Sequence, residues 1–364
     1  MPLKKTEFIL WIKSSLTLNL TPDGQKLMNN FVKSLNKKTV LYIGAWLFFI
    51  FAFIIGLTVG STSLSLSDIF DAITKKTVTD TVFRIFYFVR LPRTVACLLC
   101  GGALSVSGYI IQHVLNNRLA SPSIIGVNSG AGLAVTLCAA FGIYGGFSLS
   151  LFSFIGAFLT VMIISLTSKK LGSSKSTVIL TGIAVNSILS AVSDAITTFK
   201  PNIALISRDF KIGDFSSVTY EKIVPASIII LISLIFLFTL SNELDILSFG
   251  EENATGLGLN VNLSRTLFLL LSALLAGCAV SLAGLISFVG LIVPHAVRKI
   301  AGNTQTALMP LCALFGAGFL CLCDTLSRTL FSPFEIPVGI IMSFIGGPFF
   351  IFILIKRKGG HRNA

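Results

Sequence analysis

Ten stretches of this 364-residue sequence consist almost wholly of apolar and small residues, and they limit what the chain can become. A helix needs ~20 such residues to cross a hydrocarbon core, where every backbone N–H and C=O must be satisfied within the segment. The stretches are 40–60, 94–115, 124–141, 149–167, 177–197, 223–239, 267–283, 285–297, 307–325 and 338–355. Charged residues make up 12% of the chain and hydrophobic ones 54%. Soluble domains carry about 25% charged residues, so a water-soluble globule and a disordered chain are both excluded. The expectation is an all-α polytopic membrane protein with about ten transmembrane helices.

The seventh and eighth stretches run together. As one helix, residues 267–295 would extend about 43 Å at ~1.5 Å per residue, too long for one upright crossing and short for two. Gly284, Gly290 and Pro294 punctuate the stretch. A full helix followed by a short or broken one is expected, the arrangement transporters place around a pathway.

The net charge of +13 would suit a nucleic-acid binder were the basic residues clustered on a soluble surface. With the N-terminus inside, most of them fall on one side: Lys4 to Lys38, Arg118, Lys169, Lys170, Lys175, Arg265, Arg298, Lys299 and the tail from Lys356 to Arg362. That is positive-inside bias, so both termini are expected in the cytoplasm and nucleic acid is excluded as a partner. Three regions follow: a polar cytoplasmic N-terminal extension (1–39), a ten-span permease-like domain (40–356) and a cytoplasmic tail (357–364). The first 39 residues lack a compact apolar core with a cleavage site and are not a signal peptide; translation from Met1 or from Met28 fits equally.

No catalytic or metal constellation emerges. His113, His295 and His361 are far apart, and the seven cysteines lie in apolar runs, including Cys97 and Cys100 in Val-Ala-Cys-Leu-Leu-Cys, which reads as packing. Gly172-Ser-Ser-Lys-Ser-Thr177 imitates the end of a phosphate-binding loop, but Ser174 stands where glycine must precede the lysine, so the chain has no ATP site of its own. No cofactor is expected. Gly101-Gly-Ala-Leu-Ser-Val-Ser-Gly108 is echoed by Gly277-Cys-Ala-Val-Ser-Leu-Ala-Gly284. Five spans separate the copies, which fits an inverted repeat and equally fits close helix packing.

Polar residues gather at the membrane boundaries. Arg90-Leu-Pro-Arg93 on the outer side can dock an acidic partner or anchor at the interface. Asp324 and Arg328 are spaced for an i, i+4 pair, and Glu335 precedes Pro337 at the start of the last span. The inner segment 242–259 is acidic where basic residues are expected, and suits either two short helices in a partner's cleft or a solvated loop.

Five separated motifs now carry a likeness. Arg90-Leu-Pro-Arg-Thr94, Gln112 to Pro122 and Ile125-Gly-Val-Asn-Ser-Gly-Ala131 resemble the first signature of FecCD-type ABC transporter permeases, which import iron-siderophores, haem and vitamin B12. Gly250-Glu-Glu-Asn-Ala-Thr-Gly-Leu-Gly258, Phe288 to His295 with Arg298, Asp324 to Arg328, and Glu335 to Gly339 with Gly346 to Phe350 agree in order over about residues 40–356. The resemblance implies an inverted-repeat type II importer permease that pairs as a homodimer or heterodimer, two cytoplasmic ATP-binding subunits, and an extracellular or periplasmic substrate-binding protein. It places Arg90, Arg93 and Arg328 at the binding-protein docking positions. Gly250, Glu251, Glu252, Ala254, Leu257 and Gly258, within a coupling segment 247–259, fall at the ATPase contact, and Ser174 and Ser176 lie near the cytoplasmic gate. Ferric siderophore is the favoured cargo, with haem and vitamin B12 behind it.

Two departures qualify the likeness. Asn117-Arg-Leu-Ala120 stands where the family has Asn-Pro-Leu-Ala, and Phe210-Lys-Ile-Gly-Asp214 where it has Trp-Leu-x-Gly-Ser, with Asp209 and Lys211 adding charge at the pore mouth. The competing reading is an ion-gradient-driven secondary transporter, for which Asp194 and His295 are the nearest relay candidates.

Overall fold

The computed structural model describes residues 22–60, 81–171, 174–302 and 308–360, together with Ser67, Phe70 and Thr74. Gly172 and Ser173 of the phosphate-loop imitation, His361 and most of the N-terminal extension lie outside them. The described residues form helices and connecting turns without a strand. In chain order the helices are α1 (Pro22–Thr58), α2 (Leu91–Val114), α3 (Val127–Ala140), α4 (Gly146–Lys170), α5 (Lys175–Phe199), α6 (Ala204–Ile212), α7 (Tyr220–Thr239), α8 (Ser241–Ser248), α9 (Glu251–Gly256), α10 (Val261–Ala283), α11 (Val289–Ala301), α12 (Leu308–Thr329) and α13 (Val338–Gly360). Two compact units are distinguished, Met1–Trp46 and Leu47–Ala364, and the second holds every helix from α2 onward.

Each of the ten apolar stretches coincides with a helix. Seven are long and apolar enough to cross a membrane; α3 and α13 are shorter apolar helices, and α11 is the short helix expected after the break. The bundle is layered. α2 is buried along nearly its whole length and packs against α10, α11 and α12. α4, α5 and α7 form an outer layer whose exposed Ile163, Leu166, Leu180, Leu231, Ile232 and Ile235 suit lipid tails.

Small residues in α2 make that centre possible. Pro92 follows a π-helical turn, Ile85–Arg90, that leads into α2 without a break in the helical run, and the Tyr87 carbonyl in that turn accepts from the Tyr220 hydroxyl (2.6 Å). Gly108 faces the Gly290 backbone of α11 so closely that a Cβ would collide with it, and Gly101 meets Gly316 of α12 in the same way. Such backbone-to-backbone contact supplies the dispersion attraction that holds helices together in lipid. These glycines of the internal echo therefore have a packing role.

α10 stops where the punctuation predicts. Gly284 turns the chain at φ 71°, a conformation open to glycine, and α11 begins at Val289. The intervening backbone is not left bare. The Leu285 N–H donates to the Phe210 carbonyl (3.0 Å), the Asp214 N–H to the Ala283 carbonyl (2.8 Å) and the Gly339 N–H to the Gly213 carbonyl (3.1 Å). The break is thereby stitched to the end of α6 and the start of α13, which allows irregular backbone at membrane depth. Phe288 closes the break in a left-handed conformation, φ 70°, with its ring against Gly346.

Candidate functional site

The break opens onto a groove. One cavity of about 470 Å³ is lined by Lys211 and Ile212, by Leu285 and Ser287 of the break, and by Gly339, Ser343 and Phe344 of α13. A second, about 220 Å³, is lined by Ser123, Asn128, Ser129, Asn186, Ser190 and Ser193 and shares Lys211 and Leu285 with the first. Asn186 spans its wall by donating to the Ser123 carbonyl (3.1 Å), while its amide oxygen accepts from the Ser129 hydroxyl.

α5 explains why this wall is wet. It is the least buried of the long helices, with 11% of its apolar window buried. One exposed face is apolar, through Leu180, Ile188, Val192 and Phe199, whereas Ser187, Ser190, Asp194 and Thr198 form an exposed polar stripe at helical spacing. A polar stripe of that kind facing lipid would be costly.

Arg93 and Arg328 form a buried ionic cluster, with Arg90 beside it. Arg93 grips Asp324 with Nε (3.1 Å to Oδ2) and Nη2 (3.0 Å to Oδ1), and reaches Glu335 through Nη1 (2.7 Å). Asp214 lies 3.7 Å away. Arg328 makes the expected i, i+4 pair with Asp324 at 3.1 Å and also donates to the Gly56 carbonyl (3.2 Å). Arg90 donates to the Val59 carbonyl. All three guanidiniums and Asp324 are buried, whereas the Glu335 and Asp214 side chains are 34% and 30% exposed. Charges removed from water persist only with close, well-directed partners, and here Asp324 neutralises two of them at once.

Segment 242–259 folds as two short helices, α8 and α9, joined at Gly250 (φ 106°) and followed by Gly258 (φ 83°). Ala254 turns inward and is fully buried, while Glu252 and Leu257 are exposed. Glu251 pairs with buried Arg265 at 2.6 Å, which ties α9 to α10. Burial pushes the Asp245 carboxyl of α8 above the ordinary carboxylate range. Ser174 caps α5, its hydroxyl oxygen accepting from the Thr177 N–H (3.1 Å), and Ser176 is exposed beside it.

Sequence reasoning missed the long-range partners. Arg93 with Asp324, Asp214 and Glu335, and Arg298 with Gln112, join residues far apart in the chain. The only signal was the presence of charge at the ends of spans.

Comparison with known proteins fits this geometry. The model of the FecCD transport family matches residues 48–356. The chain belongs to that family. It is 34% identical over 319 residues to the hemin transport system permease protein HmuU of Yersinia pestis, covering 85% of this chain and 95% of that one. To an uncharacterized ABC transporter permease protein, YvrB of Bacillus subtilis, it is 33% identical, covering 90% and 97%. A solved metal-chelate type ABC transporter in an inward-facing conformation matches with a TM-score of 0.78 at 30% identity, over 87% of this chain and 99% of that one. As a FecCD-family member the chain is an ABC importer permease of the class that handles metal chelates, haem, siderophores or vitamin B12, and a polytopic membrane protein.

Proposed function

We propose that the chain is the transmembrane subunit of an ATP-driven importer that moves a metal chelate along the groove at the broken helix. The observation that carries this reading is the break itself: its backbone is bonded to the end of α6, and Leu285 and Ser287 line a groove into which Lys211, Ser287 and Ser343 bring polar groups among apolar walls. A second permease chain, identical or related, would close the path from the exposed polar stripe of α5. Ferric siderophore is the favoured cargo, followed by haem, the cargo that HmuU's name carries, and then vitamin B12.

Two separate ATPases bind the cytoplasmic face at Gly250, Glu251, Glu252, Ala254, Leu257 and Gly258. Phe249 and Leu257, 63% and 67% exposed, present apolar tips suited to a cleft. An external binding protein delivers cargo at Arg90, Arg93 and Arg328. Because these arginines are held from below by Asp324, an incoming carboxylate would displace the half-exposed Glu335 and Asp214 rather than draw the arginines out. Ser174 and Ser176 stand at the inner gate, and both termini are cytoplasmic. Purification of the tagged chain from its own membrane tests the assembly. Two permeases with two ATPases and vanadate-sensitive ATP hydrolysis are expected, and a chain that purifies without any ATPase contradicts the reading.

A further inference from the structure

Among the described residues, Lys211 occupies a position in the groove that no other charged side chain shares. It is the one ionisable residue lining both the 470 Å³ and the 220 Å³ cavities, whose other lining groups are neutral. It also lines a third cavity of about 220 Å³ together with Thr197, Ser207 and Arg208. Three cavities therefore share the one residue Lys211. The side chain is placed there by α6, whose end is fixed by Gly213 (φ 79°) and by the main-chain bonds to Ala283 and Gly339.

The ammonium is engaged yet exchangeable. Lys211 Nζ lies 3.3 Å from Asp194 Oδ1 on the polar stripe of α5, and the two side chains are 44% and 68% exposed. An ion pair this open to water contributes little, so substituting another carboxylate for Asp194 costs little. The nearby carboxylates do not compete inside the groove: Asp214 is directed toward Arg93, and neither Asp194 nor Asp209 lines any of the three cavities. Lysine also suits the task, because a compact charge on a flexible stem can follow a moving anion without the fixed fork of arginine.

We infer that Lys211 is a substrate-contacting residue of the path and that the cargo is a chelate bearing a free carboxylate, taken up by exchange with Asp194 and released as the pair re-forms. This rests on the import reading above and narrows its substrate class from metal chelates in general to carboxylate-bearing ones. Arg208, lining the adjoining cavity, extends the cationic wall.

The test measures uptake of ferric citrate, haemin, ferrichrome and cyanocobalamin by cells whose own copy is replaced with the wild-type chain, Lys211→Glu, Lys211→Arg or Asp194→Asn. ATPase co-purification and membrane level are measured alongside. Wild type is expected to carry ferric citrate or haemin. Lys211→Glu should slow that uptake by about fivefold or more, the upper range for a partly exposed charge contact, while Lys211→Arg restores it. Asp194→Asn should slow it by less than Lys211→Glu does, since the cation remains and only the carboxylate that displaces the cargo is lost. Wild-type uptake confined to ferrichrome or cyanocobalamin overturns the inference and leaves the import reading standing. An unslowed Lys211→Glu, or an Asp194→Asn loss as large as that of Lys211→Glu, likewise overturns it, the latter by making the pair a brace between α5 and α6. Absence of all four uptakes in wild type with an active ATPase overturns the import reading itself.

Discussion

At the scale of single residues, Asp324 is the carboxylate on which the outer face depends. It is fully buried and answers two guanidiniums, so Asp324→Asn should destabilise the purified protein by about 3 kcal/mol, read as a fall in thermal midpoint in detergent. Glu335→Gln removes a carboxylate that water already reaches, and should cost under about 1 kcal/mol. Equal shifts for the two variants would mean that the cluster is not organised around Asp324. Arg93→Lys separates charge from shape at the same place. It keeps the cation and loses the fork that grips Asp324 while reaching Glu335, so binding-protein affinity should fall about tenfold, measured by titration against the solubilised complex. Unchanged affinity would remove Arg93 from the docking surface.

At the scale of elements, the proposed ATPase contact is tested at the turn between α9 and α10. Gly258 holds φ 83°, which proline cannot adopt, so Gly258→Pro should release the ATPase during purification while the bundle stays monodisperse. Retention of stoichiometric ATPase would dissociate this segment from coupling. The elements also mark how far the sequence could be read. Span positions and the stop at Gly284 were legible because apolar length and glycine act over a few residues, whereas for 242–259 the sequence left two short helices and a solvated loop equally open, and the fold takes the helices. The nine-residue α6 was not, since a helix that short carries too little pattern of its own and is held by bonds to α10 and α13. Nor could composition tell that Arg93 and Arg328 are buried. The sequence left Arg93 open between docking and interfacial anchoring and offered Asp324 as a partner to Arg328 alone; that Asp324, more than two hundred residues beyond Arg93, also holds Arg93 is set by the fold.

At the scale of the whole molecule, the layers divide the labour. The glycine-packed α2 with α10 and α12 makes a rigid interior, while α5 leaves a polar face uncovered and the broken helix opens a groove beside it. An importer driven through α8 and α9, as proposed, would need no deep ionisable relay. The central claim is therefore that cargo movement follows ATP and not an ion gradient. The most direct measurement loads the purified permease–ATPase complex into proteoliposomes, supplies binding protein with radiolabelled chelate on the outer side, and encloses ATP or imposes a proton or sodium gradient. The account predicts accumulation with enclosed ATP that ionophores leave intact and that Gly258→Pro abolishes. Accumulation driven by the gradient without ATP would contradict it and return Asp194 and His295 to consideration as relay groups.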